Sequence, residues 1–264
     1  MPHTFECELR WADMDQLRHV NNVRYLDCVA AARRALFDGL AAGRAPVSRH
    51  RVEFATPLVF RRDPVRIDSW VTGTGAAEIT LAHEVYDEQE HGRTVYLRVS
   101  TALEHTADDR ERTLAQSLRA PDHDWRHVAH DHRPARSVYR AQVRPSDLDE
   151  RGMVRDTAVL EFLQESRVQY LMNLHTRGQD WTQHVVARTD VRYRQAIPAR
   201  TAPYEVHSWL GHLGTRSFTI CAELRDAETV MAEATVSMVT FDPQTQRSAE
   251  MAPSQRARLE AELG

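Results

Sequence analysis

The alternation of apolar and polar positions predicts the same series of elements twice along the chain. Each series consists of a short strand, a loop with two aspartates, a helix and then four further strands. Period-two alternation, β-branched residues and bounding Gly or Pro indicate the strands. The predicted strands are residues 4–10, 50–55, 64–72, 78–86 and 94–104 in the first series, and 138–143, 185–193, 203–210, 216–225 and 230–241 in the second.

The two helices are predicted at residues 22–40 and 157–175. The apolar residues of the second helix cover more than one stripe, so this helix should be buried on most of its sides. One buried helix with an antiparallel sheet of about five strands is an α+β arrangement. We expect this fold class for each series.

The two series are copies of one another. Residues 10–15 (RWADMD) and 144–149 (RPSDLD) share the pattern R-x-x-D-x-D. Further along, the Ser-Trp pair at 69–70 recurs at 208–209. Ordered matches of this kind indicate an internal duplication.

The duplication sets the predicted domain boundaries. We expect the first repeat at residues 1–120, a linker at 121–135, the second repeat at 136–252 and a C-terminal tail at 253–264. The wider stretch 106–136 is rich in charge and histidine, which is typical of a linker region.

Composition narrows the functional classes. The net charge of −4 shows no basic excess, so nucleic acid is not an expected partner. All 34 basic residues are arginine, for which codon usage is the simpler explanation and phosphate contacts are the alternative. No apolar run could cross a bilayer and the N-terminus does not resemble a signal peptide, so we expect a cytoplasmic protein without membrane association.

Cysteine and histidine are the residue types that could support redox or metal chemistry. Cys7, Cys28 and Cys221 are widely spaced among apolar neighbours, which favours buried free thiols in a reducing cytoplasm. A histidine cluster occurs in the linker, with a structural metal site as the less favoured interpretation, because the stretch has no strand or helix periodicity. We therefore expect no metal and no cofactor. The cluster comprises residues 122–124, His127, His130 and His132.

Residues 10–26 (RWADMDQLRHVNNVRYL) resemble the opening motif of the hotdog thioesterase superfamily. The similarity is to the 4-hydroxybenzoyl-CoA thioesterase and acyl-ACP thioesterase branches, which carry D-x-D-x-x-x-H-V-N-N-x-x-Y before a central helix. The resemblance implies a tandem double hotdog, in which each repeat is an antiparallel sheet of about five strands wrapped around one long central helix. It also implies hydrolysis of an acyl thioester in lipid metabolism, without a cofactor, and a homo-oligomer of such chains.

The resemblance assigns candidate catalytic residues. Asp15 matches the family carboxylate that acts as general base or nucleophile, and His19 matches a polar position near the substrate carbonyl. Glu165 in the second repeat matches a glutamate of the family helix. The second repeat has Met153 in place of the histidine, which suggests one competent site or one composite site.

Candidate substrate-binding residues lie at the start of the first helix. Asn21, Asn22 and Val23 could polarise the carbonyl through free N–H groups and side-chain amides, because preorganised donors at a helix start stabilise developing negative charge. Tyr25 is expected to be a pocket wall rather than an acid. The acyl-ACP branch usually has an asparagine where this chain has Leu17, so acyl-CoA is the expected substrate and acyl carrier protein the alternative.

Each assignment has a structural alternative. Asp13 and Asp15 could only form turns and caps, and the asparagines could be helix caps. His19 could be a structural histidine, and Glu165 could pair with an arginine. The competing function is a non-catalytic module that binds acyl-CoA. The sequence leaves open the acyl group, the oligomeric state and whether the second repeat has a working site.

Overall fold

The computed structural model describes residues 1–16, 18–90, 92–126, 129–175, 180–245 and 247–263. The chain divides into two compact units, Met1–Arg126 and His127–Gly264. Both are α+β, as the alternation of residues predicts, and we describe each by itself.

Unit 1 is an antiparallel five-stranded sheet with two helices, and its strands pair in the order β1-β3-β4-β5-β2. Its elements are β1 (His3–Cys7), α1 (Arg24–Leu36), β2 (Val47–Phe54), β3 (Val65–Thr74), β4 (Glu78–Gln89), β5 (Gly92–Glu104) and α2 (Asp109–Ser117).

Unit 2 repeats this plan, with the strand order β6-β8-β9-β10-β7 and a short β11 beside β10. Its elements are β6 (Ser137–Ala141), α3 (Asp156–Leu174), β7 (His184–Tyr193), β8 (Tyr204–Leu213), β9 (Ser217–Asp226), β10 (Thr229–Asp242), β11 (Arg247–Ser248) and α4 (Pro253–Leu263).

The strand register confirms the duplication. Trp70 of β3 lies opposite Ala82 of β4, and Trp209 of β8 lies opposite Cys221 of β9. Both members of the pair are shifted by 139 residues (209 − 70 and 221 − 82), the offset at which the sequences match. All ten long strands occur where the alternation predicts them, with boundaries that differ by a few residues.

The helix on each sheet buries its apolar face. In α1 the buried side chains follow helical spacing, and in α3 they cover a wider arc, as predicted. The buried apolar residues are Tyr25, Leu26, Val29, Ala32 and Leu36 in α1, and Ala158, Val159, Leu160, Phe162, Leu163, Tyr170 and Leu171 in α3. The prediction was too broad at Val168, whose side chain is exposed.

Helix α1 is shorter than predicted at both ends. It spans 13 residues, against 19 in α3. It begins only at Arg24, because the chain before it forms a turn, and Gly39 with φ of +70° reverses the chain after its last turn. Positive φ favours glycine and ends helices. The two repeats therefore carry helices of different lengths after their acidic loops.

Two helices lie where the sequence predicted no helix, one in the polar stretch after β5 and one in the C-terminal tail. Helix α2 falls inside the polar stretch 106–136, and Asp108 and Glu111 form a reciprocal capping box at its start. Helix α4 occupies the predicted tail, where Gln255 and Leu259 are fully buried. Among the described residues, no helix combines the length and apolar character needed to span a membrane.

Candidate functional site

The acidic loop of the first repeat begins with a single 3-10 turn, Trp11–Asp13. An Asp13 carboxylate oxygen accepts a hydrogen bond from the Arg10 N–H at 2.7 Å. In the second repeat Asp147 accepts from the Arg144 N–H at the same distance. This first aspartate therefore holds the loop in both repeats, the structural role considered for Asp13.

Asp15 closes the rest of the loop around His19. The Asp15 N–H donates to the His19 carbonyl at 2.8 Å, and the Asp15 Oδ1 accepts from the His19 N–H at 3.0 Å. Between them Arg18 adopts a φ of +62°. This left-handed conformation costs a non-glycine residue about 1–2 kcal/mol. The backbone of the loop is thus strained between the two motif residues Asp15 and His19.

The side chains of Asp15 and His19 are both partly exposed. His19 is held through its backbone, which also bridges to Val59. Among the residues that the structure describes, the His19 imidazole makes no hydrogen bond. Its ring is therefore available to a water molecule or a substrate oxygen.

Asn21 joins the loop to α1. Its N–H donates to the Asp13 carbonyl at 2.8 Å, and its own carbonyl accepts from the Arg24 N–H at 2.9 Å. Its side-chain oxygen accepts from the Val23 N–H at 3.0 Å, so Asn21 acts as a cap and the Val23 N–H is already used. Within the described ranges, the Asn22 N–H donates to no protein group.

Tyr25 lies in the first turn of α1 and is 5% exposed. Its hydroxyl oxygen accepts from the Leu58 N–H at 3.2 Å, and its ring packs edge-on against Phe54. Burial raises the pKa of Tyr25 well above its ordinary value, and the negative charge of Asp15 adds to this rise. The phenol therefore stays protonated, and it serves as a buried wall and hydrogen-bond acceptor.

The second repeat builds the same loop with different chemistry. The Asp149 Oδ1 accepts from the N–H groups of Arg151 and Met153, both at 2.9 Å. Its other oxygen lies 2.8 Å from the Arg151 guanidinium, and Gly152 takes the left-handed position with a φ of +75°. Burial alone would raise the pKa of Asp149, but the Met153 N–H and the Arg151 side chain outweigh it and lower the pKa. This carboxylate is committed to an internal ion pair.

Glu165 is exposed on α3 of unit 2, whereas Asp15 and His19 belong to unit 1. Burial lowers the pKa of Arg167 to about 10, and the Glu165 charge opposes this effect. Tyr139 has a raised pKa, chiefly through burial and then through Glu165. Within unit 2 the Glu165 carboxylate thus interacts with an arginine and a tyrosine through space.

Sequence reasoning did not identify a buried polar cluster in unit 1. The Ser69 Oγ lies 2.8 Å from the His83 Nδ1, and both residues are fully buried. Burial, followed by the Arg33 charge, lowers the pKa of His83 to about 3, so this imidazole is neutral at physiological pH. His50 contacts Thr101 nearby in the core, through a 3.1 Å hydrogen bond.

Unit 2 has no histidine at the positions equivalent to His50 and His83. The counterpart of His83 is Ala222, and Ser208 instead contacts Ser166 of α3 at 2.7 Å. A histidine at an inward position of an alternating strand, such as His83 in β4, is the signal that could have revealed the cluster. The two repeats therefore differ in the polarity of their interiors as well as in their loops.

The structure brings two of the cysteines together. The Cys7 and Cys28 sulfurs lie 2.6 Å apart, and both side chains are partly exposed. Only Cys221 is buried, so the predicted burial is wrong for the other two. Their contact links β1 to α1 across 21 residues.

The histidine-rich linker divides between the units. Asp122 accepts from the Ser100 hydroxyl at 3.2 Å, and His123 packs edge-on against Trp70, so this part contacts unit 1. His130 and His132 belong to unit 2, and His127 lies outside the described residues.

Three solved structures share this fold over most of their length. One is assigned as an oleoyl thioesterase from Lactobacillus plantarum, with a TM-score of 0.71, 13% identity, and coverage of 92% of this chain and 97% of that chain. The 12:0-ACP thioesterase from Umbellularia californica gives 0.67 at 12% identity, over 91% and 94%. An acyl-ACP thioesterase from Bacteroides thetaiotaomicron gives 0.64 at 12% identity, over 89% and 97%.

At these identities the structural matches establish the fold. Among curated proteins, no sequence matches the chain significantly. The family described as the thioesterase-like superfamily matches twice, at residues 9–121 and 143–259, which covers both repeats and most of the chain. The protein therefore belongs to the thioesterase-like superfamily and contains two copies of its domain.

Proposed function

We propose that this protein hydrolyses an acyl thioester, in the first place an acyl-CoA, to the free acid and the thiol, and that the first repeat performs the reaction. The observation that carries the proposal is the contrast between the two acidic loops. Asp149 is ion-paired with Arg151, whereas the first repeat has the uncharged Leu17 at the position of Arg151. Asp15 therefore lies in the loop that also holds His19 and the two asparagines of the motif.

Asp15 supplies the oxygen chemistry in this proposal. Its carboxylate either removes a proton from the attacking water or attacks the thioester carbonyl itself, and both routes expel the thiolate. The His19 imidazole, whose ring makes no hydrogen bond to the described residues, orients the water or the carbonyl. The loop hydrogen bonds between Asp15 and His19 keep the two residues together.

The start of α1 supplies stabilisation of the oxyanion. The Asn22 N–H donates to the negative charge that develops on the carbonyl oxygen, and one such donor lowers the activation free energy by about 3 kcal/mol. Asn21 is a positioning residue, because its side chain holds the Val23 N–H and fixes the turn. Tyr25 forms a wall of the pocket.

We further propose that the units form a tandem double hotdog. The shared strand order and the helix on each sheet support this arrangement. The boundaries at 1–120, 121–135, 136–252 and 253–264 remain part of the proposal, as do a cytoplasmic location, homo-oligomers and a role in lipid metabolism. Solved structures with this fold include acyl-ACP thioesterases, so acyl carrier protein is the alternative carrier.

The test compares Asp15→Asn with Asp149→Asn. Thiol release from a panel of acyl-CoAs and acyl carrier proteins is measured with a thiol reagent, against a blank with enzyme alone because the protein has cysteines of its own. We expect Asp15→Asn to lose a factor of about 10²–10⁴ in kcat/KM. Asp149→Asn should retain nearly full activity, and Glu165→Gln in the same assay tests whether the second carboxylate takes part.

The second candidate is an acyl-CoA-binding module without turnover, which the division of the motif between the repeats favours: His19 is in one repeat and Glu165 in the other. Equal thiol release by wild type and Asp15→Asn would remove Asp15 from the mechanism. No release from any substrate, combined with acyl-CoA binding by the folded wild type, would establish the binding module instead.

A further inference from the structure

The polar segment that begins unit 2 crosses the outer face of its sheet. In β8 and β9, Ser208 and Ala222 lie opposite each other on the face that carries α3, because Ser208 contacts Ser166 of that helix. Successive residues of a strand point to opposite faces, so Glu223 points away from α3. The polar segment lies on this second face, where the Trp209 indole N–H donates to the Asp131 carbonyl at 2.8 Å.

Three metal-ligand side chains converge on this outer face: His130 and His132 of the segment and Glu223 of β9. One potential ligand atom from each lies within 4.8 Å of the other two. The His132 Nδ1 is 3.3 Å from the Glu223 Oε1, and the His130 Nε2 is 3.8 Å from it. Ligand atoms on a tetrahedral zinc ion, at 2.0–2.1 Å from the metal, lie roughly 3.3 Å apart. The His132–Glu223 pair already has this spacing, and His130 must move inward to complete the triangle.

The surroundings of His130 favour metal binding through its Nε2. The His130 Nδ1 lies 3.1 Å from the Thr235 hydroxyl, which can accept a hydrogen bond from the Nδ1–H and so leave the lone pair on Nε2. That Nε2 is buried and has no hydrogen-bond partner in the described part of the chain. A second partner that fixes the tautomer in this way is typical of metal-bound histidine.

The glutamate is arranged for binding through one oxygen. The Arg225 guanidinium holds the Glu223 Oε2 at 2.8 Å, and the Oε1 faces the two imidazoles. The Glu223 side chain is 6% exposed, the His130 side chain 14% and the His132 side chain 72%. Two mostly buried ligands and one exposed ligand at the surface leave a route for the ion to enter.

We propose that His130, His132 and Glu223 bind a divalent transition metal, with Zn²⁺ as the expected ion. Two imidazoles and one carboxylate match the preferences of zinc, and a water molecule would complete the tetrahedron. The site lies on the sheet face opposite α3, so its role is structural: the ion fastens the segment at 130–132 to β9. It is independent of thioester hydrolysis.

The test uses the full-length chain after treatment with a chelator. Zn²⁺ binding is measured by equilibrium dialysis, and Co²⁺ serves as a spectroscopic probe because tetrahedral coordination gives a strong visible spectrum. We expect one tightly bound Zn²⁺ per chain and an increase in Tm on binding. His132→Gln is the main variant, since its exposed side chain can be removed without disturbing the fold, and His212→Gln, an exposed histidine of β8, is the matched control.

His132→Gln and Glu223→Gln should each weaken binding by at least about tenfold, and Thr235→Val by about 10–100-fold. His212→Gln should bind as wild type. The proposal is overturned if the wild type binds no Zn²⁺ at micromolar free metal, or if His132→Gln and His212→Gln bind it with the same affinity. Either result leaves the thiol-release assay untouched, so the two proposals fail separately.

Discussion

Replacing Tyr25 with phenylalanine separates a structural from a chemical role for this residue. The hydroxyl oxygen accepts from the Leu58 N–H at 3.2 Å, and both residues are buried. Tyr25→Phe leaves that amide without an acceptor, which costs about 1–3 kcal/mol in free energy of unfolding. For a unit of this size the loss corresponds to a decrease in Tm of roughly 3–10 °C.

The activity of Tyr25→Phe should change little. Because burial keeps the phenol protonated and its oxygen is already an acceptor, we expect kcat/KM within a small factor of wild type at a temperature where both are folded. A general acid would lose about 10²–10⁴. The assays are thermal unfolding by circular dichroism and thiol release on the same samples.

Tyr96→Phe is the matched control. The Tyr96 hydroxyl donates to the Asp87 carboxylate at 2.6 Å, and neither residue belongs to the acidic loop. Loss of this charged hydrogen bond should cost about 1.5–3 kcal/mol without changing kcat. The reasoning is refuted if Tyr25→Phe is as stable as wild type, or if it loses a hundredfold in kcat while Tyr96→Phe does not.

Three further predictions concern stability and redox chemistry. Gly152→Ala should lower the free energy of unfolding by about 1–2 kcal/mol, because the φ of +75° strains an alanine backbone, and no neighbouring atom adds a steric clash. Urea unfolding measures this loss, and an unchanged stability would contradict the strain. Hydrogen peroxide should oxidise the Cys7 and Cys28 thiols to a disulfide, with their two hydrogens ending in water, and thiol titration should then find one free thiol of three. The Cys28→Ser variant should keep two free thiols after the same treatment, and an unchanged thiol count in the wild type would refute the pairing. Burial alone would raise the pKa of Glu111, but two N–H donors and His105 outweigh burial and lower it. The contribution of Glu111 to the free energy of unfolding is therefore complete above the ordinary pKa of 4.5 and is lost as the pH falls through the lower pKa of the folded state. Acid unfolding should show this, and Glu111→Gln, measured in parallel, should flatten the pH dependence; equal profiles would exclude the contribution.

The acidic loops show how far a local motif predicts structure. The R-x-x-D-x-D pattern indicated equivalent loops, and Asp13 and Asp147 indeed make the same short backbone hydrogen bond. Such contacts span three residues, so a short stretch of sequence is sufficient to specify them. The Arg151 ion pair, two residues from Asp149, could have been anticipated for the same reason.

Helix ends were less predictable. Periodicity placed the start of α3 within one residue, but it extended α1 past Leu36, because the residues after it remain partly apolar although the chain turns. The capping box of α2 was visible as Asp108 and Glu111 and was missed within a charged stretch. A cap is a local signal, whereas the point at which a helix leaves its sheet depends on packing.

By itself, the sequence determined the strands, the duplication and the candidate loop, because each depends on residues close together in the chain or on a pattern repeated at a constant offset. Only the tertiary structure decided which distant side chains meet. Cys7 approaches Cys28, and Glu223 joins His130 and His132, because strand register and the alternation of faces carry these residues to the same place. A one-residue change in register would have moved Glu223 to the opposite face, and nothing local to Glu223 encodes that choice.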